Sequence, residues 1–230
     1  MKVAVIVFPG SNCDRDVATA IEFIIGHPVI MVWHRDTELP SVDLIVIPGG
    51  FSYGDYLRCG AIAANSPIMR AVKTKADSGM FILGICNGFQ ILTEIGILPG
   101  ALIRNVNRRF VCKDVLLRVE TTNSIFARKY TIGCLVCLPI AHSEGNYFAD
   151  KATLDRLDDD DRVAFRYATT EGKADMSVVN PNGSVRNIAG IYNDTRRVLG
   201  LMPHPERLTE IALGGIDGKL MFKGIMEAFL

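Results

Sequence analysis

The chain has 230 residues, 49% of them hydrophobic, and its 25 basic and 25 acidic side chains give a formal net charge of zero. That balance lacks the basic excess that nucleic acids and anionic membrane surfaces select, so neither is expected as a partner. The length fits one large α/β domain over residues 1–230, with enough apolar side chains for a sizeable core. No stretch approaches ~18 uninterrupted apolar residues, and residues 1–8 run into Pro9-Gly10 without a signal-peptide cleavage pattern, so a cytoplasmic protein is expected. In that setting the six cysteines are not a disulfide framework, and the sequons at Asn182 and Asn193 carry no meaning.

The first hundred residues alternate apolar runs with amphipathic segments. Residues 3–8 form a continuous apolar run, the pattern of a strand covered on both faces. Val17, Ala20, Ile21 and Ile24 then recur at helical spacing, with Ser11 or Asn12 available as a cap. Residues 29–33 and Leu44–Ile47 predict two further strands, the latter ending in Pro48-Gly49-Gly50. Residues 67–78 predict a helix with Ile68, Met69 and Val72 on one face, and Phe81–Ile85 a fourth strand followed by a helical segment over 89–94. Such alternation argues for β-α-β units and a mostly parallel sheet with helices on both faces. Beyond residue 100 the pattern shifts to short strands at 115–119, 132–138, Val163–Tyr167, Ile188–Tyr192 and 198–202. These predict an antiparallel extension, closed by helical stretches over 208–213 and 219–230. The acidic run at residues 158–161 has no accompanying ligand cluster and predicts a solvated loop rather than a metal site.

The sharpest chemical signal is Gly84-Ile85-Cys86-Asn87-Gly88, placed between a strand and a helix. A nucleophile elbow needs this arrangement: the turn strains its central residue, and flanking glycines remove side chains that would collide. It lifts the Cys86 sulfur to the carboxyl end of the sheet, at a helix N-terminus that favours a thiolate. A thiol nucleophile also needs a base. Of the four histidines, His27 and His34 sit at strand boundaries and read as surface or structurally satisfied residues. His204 lies in Met202-Pro203-His204-Pro205-Glu206, where two prolines predict an extended segment. Alternate side chains of an extended chain share a face, so Glu206 can orient the imidazole while its other nitrogen meets the thiol. The Asn87 backbone N–H and, from the glycine-rich turn after the third strand, the Gly50 backbone N–H are the candidate oxyanion donors.

These elements together resemble the class I (triad) glutamine amidotransferases. The stretches Phe8-Pro9-Gly10-Ser11-Asn12-Cys13-Asp14, Gly49-Gly50-Phe51-Ser52-Tyr53-Gly54-Asp55-Tyr56-Leu57-Arg58, Ala141-His142-Ser143-Glu144-Gly145 and Met202-Pro203-His204-Pro205-Glu206-Arg207 are similar to the glutaminase subunits of phosphoribosylformylglycinamidine synthase. The resemblance runs nearly end to end and is weakest at residues 105–130. It implies a flavodoxin-like amidotransferase fold and hydrolysis of glutamine through Cys86. It also implies that Gln90 and the segment His142, Ser143, Glu144 and Gly145 help hold glutamine, with His142 positioning rather than acting as a second base. The ammonia would pass to a separate synthetase subunit that uses ATP and Mg on formylglycinamide ribonucleotide, accompanied by a small accessory subunit. No metal or cofactor is expected in this chain, which has no Gly-x-x-x-x-Gly-Lys-Ser/Thr phosphate loop.

Competing readings keep parts of the pattern. A glutaminase serving another synthetase shares every catalytic feature. Stress proteins and peptidases of the same superfamily carry a cysteine elbow but lack a His-x-Glu pair near the C-terminus, which this chain has. A nucleotide-binding module could use Pro9-Gly10-Ser11-Asn12 as an anion site, but the dinucleotide fingerprint is absent. Cys134 and Cys137 fall within an apolar strand on opposite faces and predict two buried thiols. Cys13 and Cys59 fall in loops beside the site, open to partial exposure.

Overall fold

A computed structural model describes residues 1–170 and 180–230. In chain order the elements are β1 (Val3–Val7), α1 (Asp14–Ile25), β2 (Ile30–Trp33), β3 (Leu44–Ile47), α2 (Ala61–Ala64) and α3 (Pro67–Asp77). Then come β4 (Phe81–Ile85), α4 (Asn87–Glu94), β5 (Ala101–Ile103), β6 (Val111–Val119), β7 (Leu135–His142) and β8 (Asn146–Phe148). The chain closes with α5 (Lys151–Asp159), β9 (Val163–Tyr167), β10 (Ile188–Tyr192), β11 (Val198–Leu201) and α6 (Lys219–Glu227). One sheet among the described residues has the order β2-β1-β3-β4-β11-β10-β9-β6-β7, while β5 and β8 form a separate antiparallel ribbon.

The sheet changes character at β11. From β2 to β11 every neighbour is parallel, and from β11 to β7 every neighbour is antiparallel. Each half carries the matching sequence pattern. All four residues of β3 are buried, whereas β7 alternates buried and half-buried positions.

β11 corrects the sequence reading, which placed it in the antiparallel extension. A four-residue apolar run fits either direction, so its pattern could not decide. It lies parallel to β4 with Leu201 opposite Ile85, and the Cys86 N–H donates to the Leu201 carbonyl at 2.7 Å. The chains leaving β4 and β11 therefore emerge side by side at the same end of the sheet.

Other boundaries also moved. α1 starts after Cys13 with no side-chain cap, because Ser11 Oγ instead donates to the Gly49 carbonyl at 3.3 Å. β7 begins later than expected and continues through Pro139 to His142; as the outermost strand it tolerates a residue without an N–H. Residues 208–213 form no α-helix, only the 3₁₀ turns Pro205–Arg207 and Ile211–Leu213 nearby. Half of the acidic run ends α5, where Asp158 pairs with Arg166 and Arg186 instead of standing free in solvent. Cys13 and Cys59 are buried, and Cys134 and Cys137 are half-exposed, the reverse of the expectation for both pairs.

Candidate active site

Cys86 leaves β4 with φ 50° and ψ −105°, in the left-handed half of backbone space. A non-glycine residue holds such a conformation only where its surroundings impose it. Its glycine neighbours show what does so. A Cβ on Gly88 would lie 2.0 Å from the Ile47 carbonyl oxygen, and one on Gly84 would lie 2.4 Å from Leu92 Cδ1. β3, β4 and α4 thus pass so closely that only glycines fit beside the turn. Cys86 is 4% exposed, and its thiol points toward the Ala141 carbonyl at 3.8 Å.

His204 reaches the same place from the end of β11. A Cβ on Gly49 would lie 2.7 Å from His204 Cε1 and 3.3 Å from Cys86 Cβ, so His204 and Cys86 both pack against this glycine. His204 Nδ1 and Glu206 Oε1 are 2.6 Å apart, in surroundings that leave both residues buried. The segment is not extended, as the two prolines suggested; Pro205–Arg207 is a 3₁₀ turn, and the turn brings the carboxylate back onto the ring. His204 Nε2 is buried without a hydrogen bond. A buried polar atom left open in this way calls for a reason, and a reacting partner is one. Burial alone would lower the pKa of His204, but the Glu206 carboxylate and the Cys86 thiol outweigh it and raise it to about 10. An imidazole in that range carries the proton that a leaving amine requires.

The glycine-rich turn after β3 lies against the segment after β1. Gly50 has φ 124°, and a Cβ there would lie 2.6 Å from the Asn12 nitrogen, so no side chain fits. The Asn87 N–H belongs to the first turn of α4, where amides have no intrahelical acceptor. The Gly50 turn, Cys86 and His204 therefore meet at one end of the parallel strands, the usual position for a site in an open α/β sheet.

The remaining wall comes from the end of β7 and the loop that follows it. His142 is 3% exposed, its Nδ1 has no partner, and its Nε2 lies 3.5 Å from Asn182 Nδ2. Burial and then the charge of His204 push its pKa down to about 4, so it stands neutral. Ser143 is exposed and gives its carbonyl to the Asn105 N–H at 2.8 Å. Glu144 accepts from the Cys59 N–H at 3.3 Å and lies 3.6 Å from Arg104 Nε. Gly145 packs flat on the His142 ring, where a Cβ would come within 2.3 Å. Gln90, on the buried face of α4, donates Nε2 to the Glu144 carbonyl at 2.6 Å.

Sequence reasoning missed the residues that hold this wall. Asn105 Nδ2 donates to the His142 carbonyl at 2.9 Å, and Asn105 Oδ1 accepts from the Gly145 N–H at 3.0 Å. Asn182, passed over as a sequon, is fully buried and donates to the Gly145 carbonyl at 2.8 Å. No local motif marks either asparagine. Cys13 lies beside the site, as its position in the sequence predicted, but it is buried rather than partly exposed. Cys13, His204 and Glu206 each place a ligand atom within 4.8 Å of the others, close enough to suggest a cation. Arg207 Nη2, however, donates to Cys13 Sγ at 3.0 Å, and a guanidinium there opposes a metal ion. Burial pushes the Cys13 thiol up to about 12 despite that guanidinium, which disfavours its thiolate.

Similarity to known proteins agrees with this geometry. Residues 1–213 match the CobB/CobQ-like glutamine amidotransferase domain. The chain is 55% identical over 228 residues to the phosphoribosylformylglycinamidine synthase subunit PurQ of Novosphingobium aromaticivorans, covering 99% of this chain and 97% of that protein. With the PurQ subunit of Ruegeria sp. it shares 57% identity over 98% of its own length and 97% of the relative. A solved PurLQS structure from Thermotoga maritima superposes with a TM-score of 0.86 at 41% identity, covering 100% of this chain and 99% of the other. A cysteine elbow beside a His–Glu pair, on a chain this similar from end to end, places the protein in the PurQ family, the glutamine amidotransferase subunits of phosphoribosylformylglycinamidine synthase.

Proposed function

We propose that Cys86, His204 and Glu206 hydrolyse the side-chain amide of L-glutamine and that the ammonia passes to a synthetase subunit. There it would be used with ATP and Mg to convert formylglycinamide ribonucleotide to formylglycinamidine ribonucleotide in cytoplasmic de novo purine synthesis. The observation that carries the residue assignment is the strained Cys86 turn beside a histidine whose Nδ1 is held 2.6 Å from Glu206.

In this reading Cys86 Sγ attacks the glutamine Cδ, and the carbonyl π electrons move onto oxygen. The Gly50 and Asn87 N–H groups hold that oxyanion, and one such donor is worth about 100- to 1000-fold in rate. His204 then delivers a proton from Nε2 to the amide nitrogen. The C–N bond breaks, ammonia leaves, and a γ-glutamyl thioester stays on Cys86. Water attacks the thioester carbon while Nε2 takes its proton. A second oxyanion collapses, the C–S bond breaks, and glutamate is released. Glu206 keeps Nδ1 protonated and the ring aimed throughout. Gln90 and the His142–Gly145 loop form the wall against which the amino-acid end of glutamine is held. The chain supplies no cofactor of its own; the synthetase and its small accessory subunit complete the enzyme.

The test is glutamate release from glutamine by the assembled complex, with ATP and formylglycinamide ribonucleotide present. The parent chain turns over and Cys86→Ala does not. Equal turnover by Cys86→Ala would remove the triad assignment. Release that ignores the loaded synthetase would instead remove the partner assignment.

A further inference from the structure

The Asn87 side chain is fully buried and its hydrogen-bonding capacity is largely spent. Its Oδ1 accepts from the Ser52 N–H at 3.2 Å, while Nδ2 donates to Asp55 Oδ1 at 3.1 Å and to Gln90 Oε1 at 2.8 Å. Two of these partners lie on the turn that immediately follows Gly50, and the third lies on α4. Gln90 passes the connection on, donating to the Glu144 carbonyl at 2.6 Å. Two carboxamides thus tie the Gly50 turn, the start of α4 and the loop after β7 to one another.

The turn needs such a tie. Tyr53, Gly54 and Asp55 have φ of 54°, 69° and 53°, three consecutive residues in left-handed backbone space, two of them with side chains. L-residues leave that region unless tertiary contacts hold them there. Relaxation of Ser52–Asp55 would be passed through Phe51, whose N–H donates to the Gly10 carbonyl at 3.2 Å, toward the Gly50 peptide. The turn has further anchors besides that Phe51 bond: the Tyr53 N–H donates to the Pro9 carbonyl at 2.6 Å, and the Tyr53 hydroxyl lies 2.7 Å from His34 Nδ1. Asn87 is the anchor that reaches the turn from the position next to Cys86.

We propose that the Asn87 carboxamide is a positioning group that holds the turn after Gly50, so that the Gly50 and Asn87 N–H groups converge on one oxyanion. The residue that gives one donor through its backbone fixes the other through its side chain. This rests on the oxyanion assignment made above. It adds a specific consequence: loss of the side chain weakens the transition state and spares the ground state.

The experiment uses the synthetase complex carrying Asn87→Leu, similar in size but without the amide, and Asn87→Asp, which sets a carboxylate against Asp55. Asp55→Ala, which cuts one strand of the tie from the other end, covers the case in which both Asn87 variants fail to fold. Three readouts are taken: kcat and KM for glutamine, inhibition by glutamate γ-semialdehyde, and the rate of Cys86 alkylation by iodoacetamide. The aldehyde adds to the thiol and places an oxyanion in the hole, whereas alkylation needs only the thiol. We expect kcat to fall about 10- to 100-fold with KM within about threefold, part of what a lost donor costs. Aldehyde affinity falls by the same factor, and alkylation stays within about threefold. Asp55→Ala follows the same pattern to a smaller extent. Unchanged aldehyde affinity, or a loss carried by KM, overturns the proposal. A parallel loss of alkylation overturns it too, by showing that the side chain supports the elbow itself. Turnover surviving in Cys86→Ala would instead strike the underlying mechanism.

Discussion

The two halves of the sheet do different work at the site. In the parallel half, β3, β4 and β11 end side by side and deliver the Gly50 turn, Cys86 and His204 to one point. The backbone itself does the placing, and contacts too tight for a Cβ lock it. The antiparallel half contributes the end of β7, with the Ala141 carbonyl and His142, and the loop that follows it. That loop is held by asparagine side chains from residues 37 and 40 positions away. The chemistry is therefore built on adjacent strand ends, and the wall is built on side-chain hydrogen bonds that single substitutions can loosen by degrees.

The largest effect expected from this contrast concerns the reacting groups. Cys86→Ala and His204→Ala should each lower glutamine turnover by about 10⁴-fold or more, and the double variant should be no worse than either alone, as for residues acting as one unit. Steady-state glutamate release from the complex measures all three. Additive losses would mean that the two side chains act independently and would break the picture of convergent strand ends.

The next effect compares two glycines. Gly88→Ala drives a Cβ to 2.0 Å from the Ile47 carbonyl, where only backbone can give way. Gly145→Ala meets the His142 ring at 2.3 Å, and that ring can tilt. Gly88→Ala should cost about 3–5 kcal/mol or prevent folding, and Gly145→Ala about 1–2 kcal/mol, by denaturant unfolding. Equal costs would erase the distinction between a backbone-locked half and an adjustable one.

How legible the two halves were follows the same division. The elbow, the Gly49-Gly50 turn and the His204–Glu206 pair could be read from sequence because each is a local pattern with a steric or chemical reason. The parallel strands before them are short continuous apolar runs, and their order along the chain predicted the β-α-β arrangement. β11 was misplaced because an apolar run does not state its direction. β7 was cut short because the proline inside it resembles a strand end. Asn105 and Asn182 were illegible: a buried asparagine that clamps a distant loop looks, in sequence, like any turn asparagine. Asn87 was read for its backbone alone, since nothing nearby shows that its side chain spans to Ser52 and Asp55.

The smallest effect lies in the wall and depends on pH. His142 is held neutral, with its pKa lowered from 6.5 to about 4 by burial and the nearby His204. A histidine whose folded pKa is depressed contributes stability that is complete above about 6.5 and lost as pH falls toward about 4. That loss amounts to at most roughly 3 kcal/mol. His142→Gln, which cannot take up the proton, should flatten this part of the stability curve between pH 6.5 and 4, followed by urea unfolding at each pH. An unchanged slope would show that the acid sensitivity arises elsewhere.

In the proposed reaction Cys86 carries the glutamyl group between two oxyanions. Mixing the complex with glutamine, quenching in acid within a fraction of a turnover and mapping the peptides by mass spectrometry tests it directly. The expected result is a γ-glutamyl thioester on the peptide containing Cys86, labile to hydroxylamine and accumulating further in Glu206→Gln, where water activation is slowed. Turnover that proceeds with no adduct on Cys86, or with an adduct on Cys13 or Cys59, would contradict it.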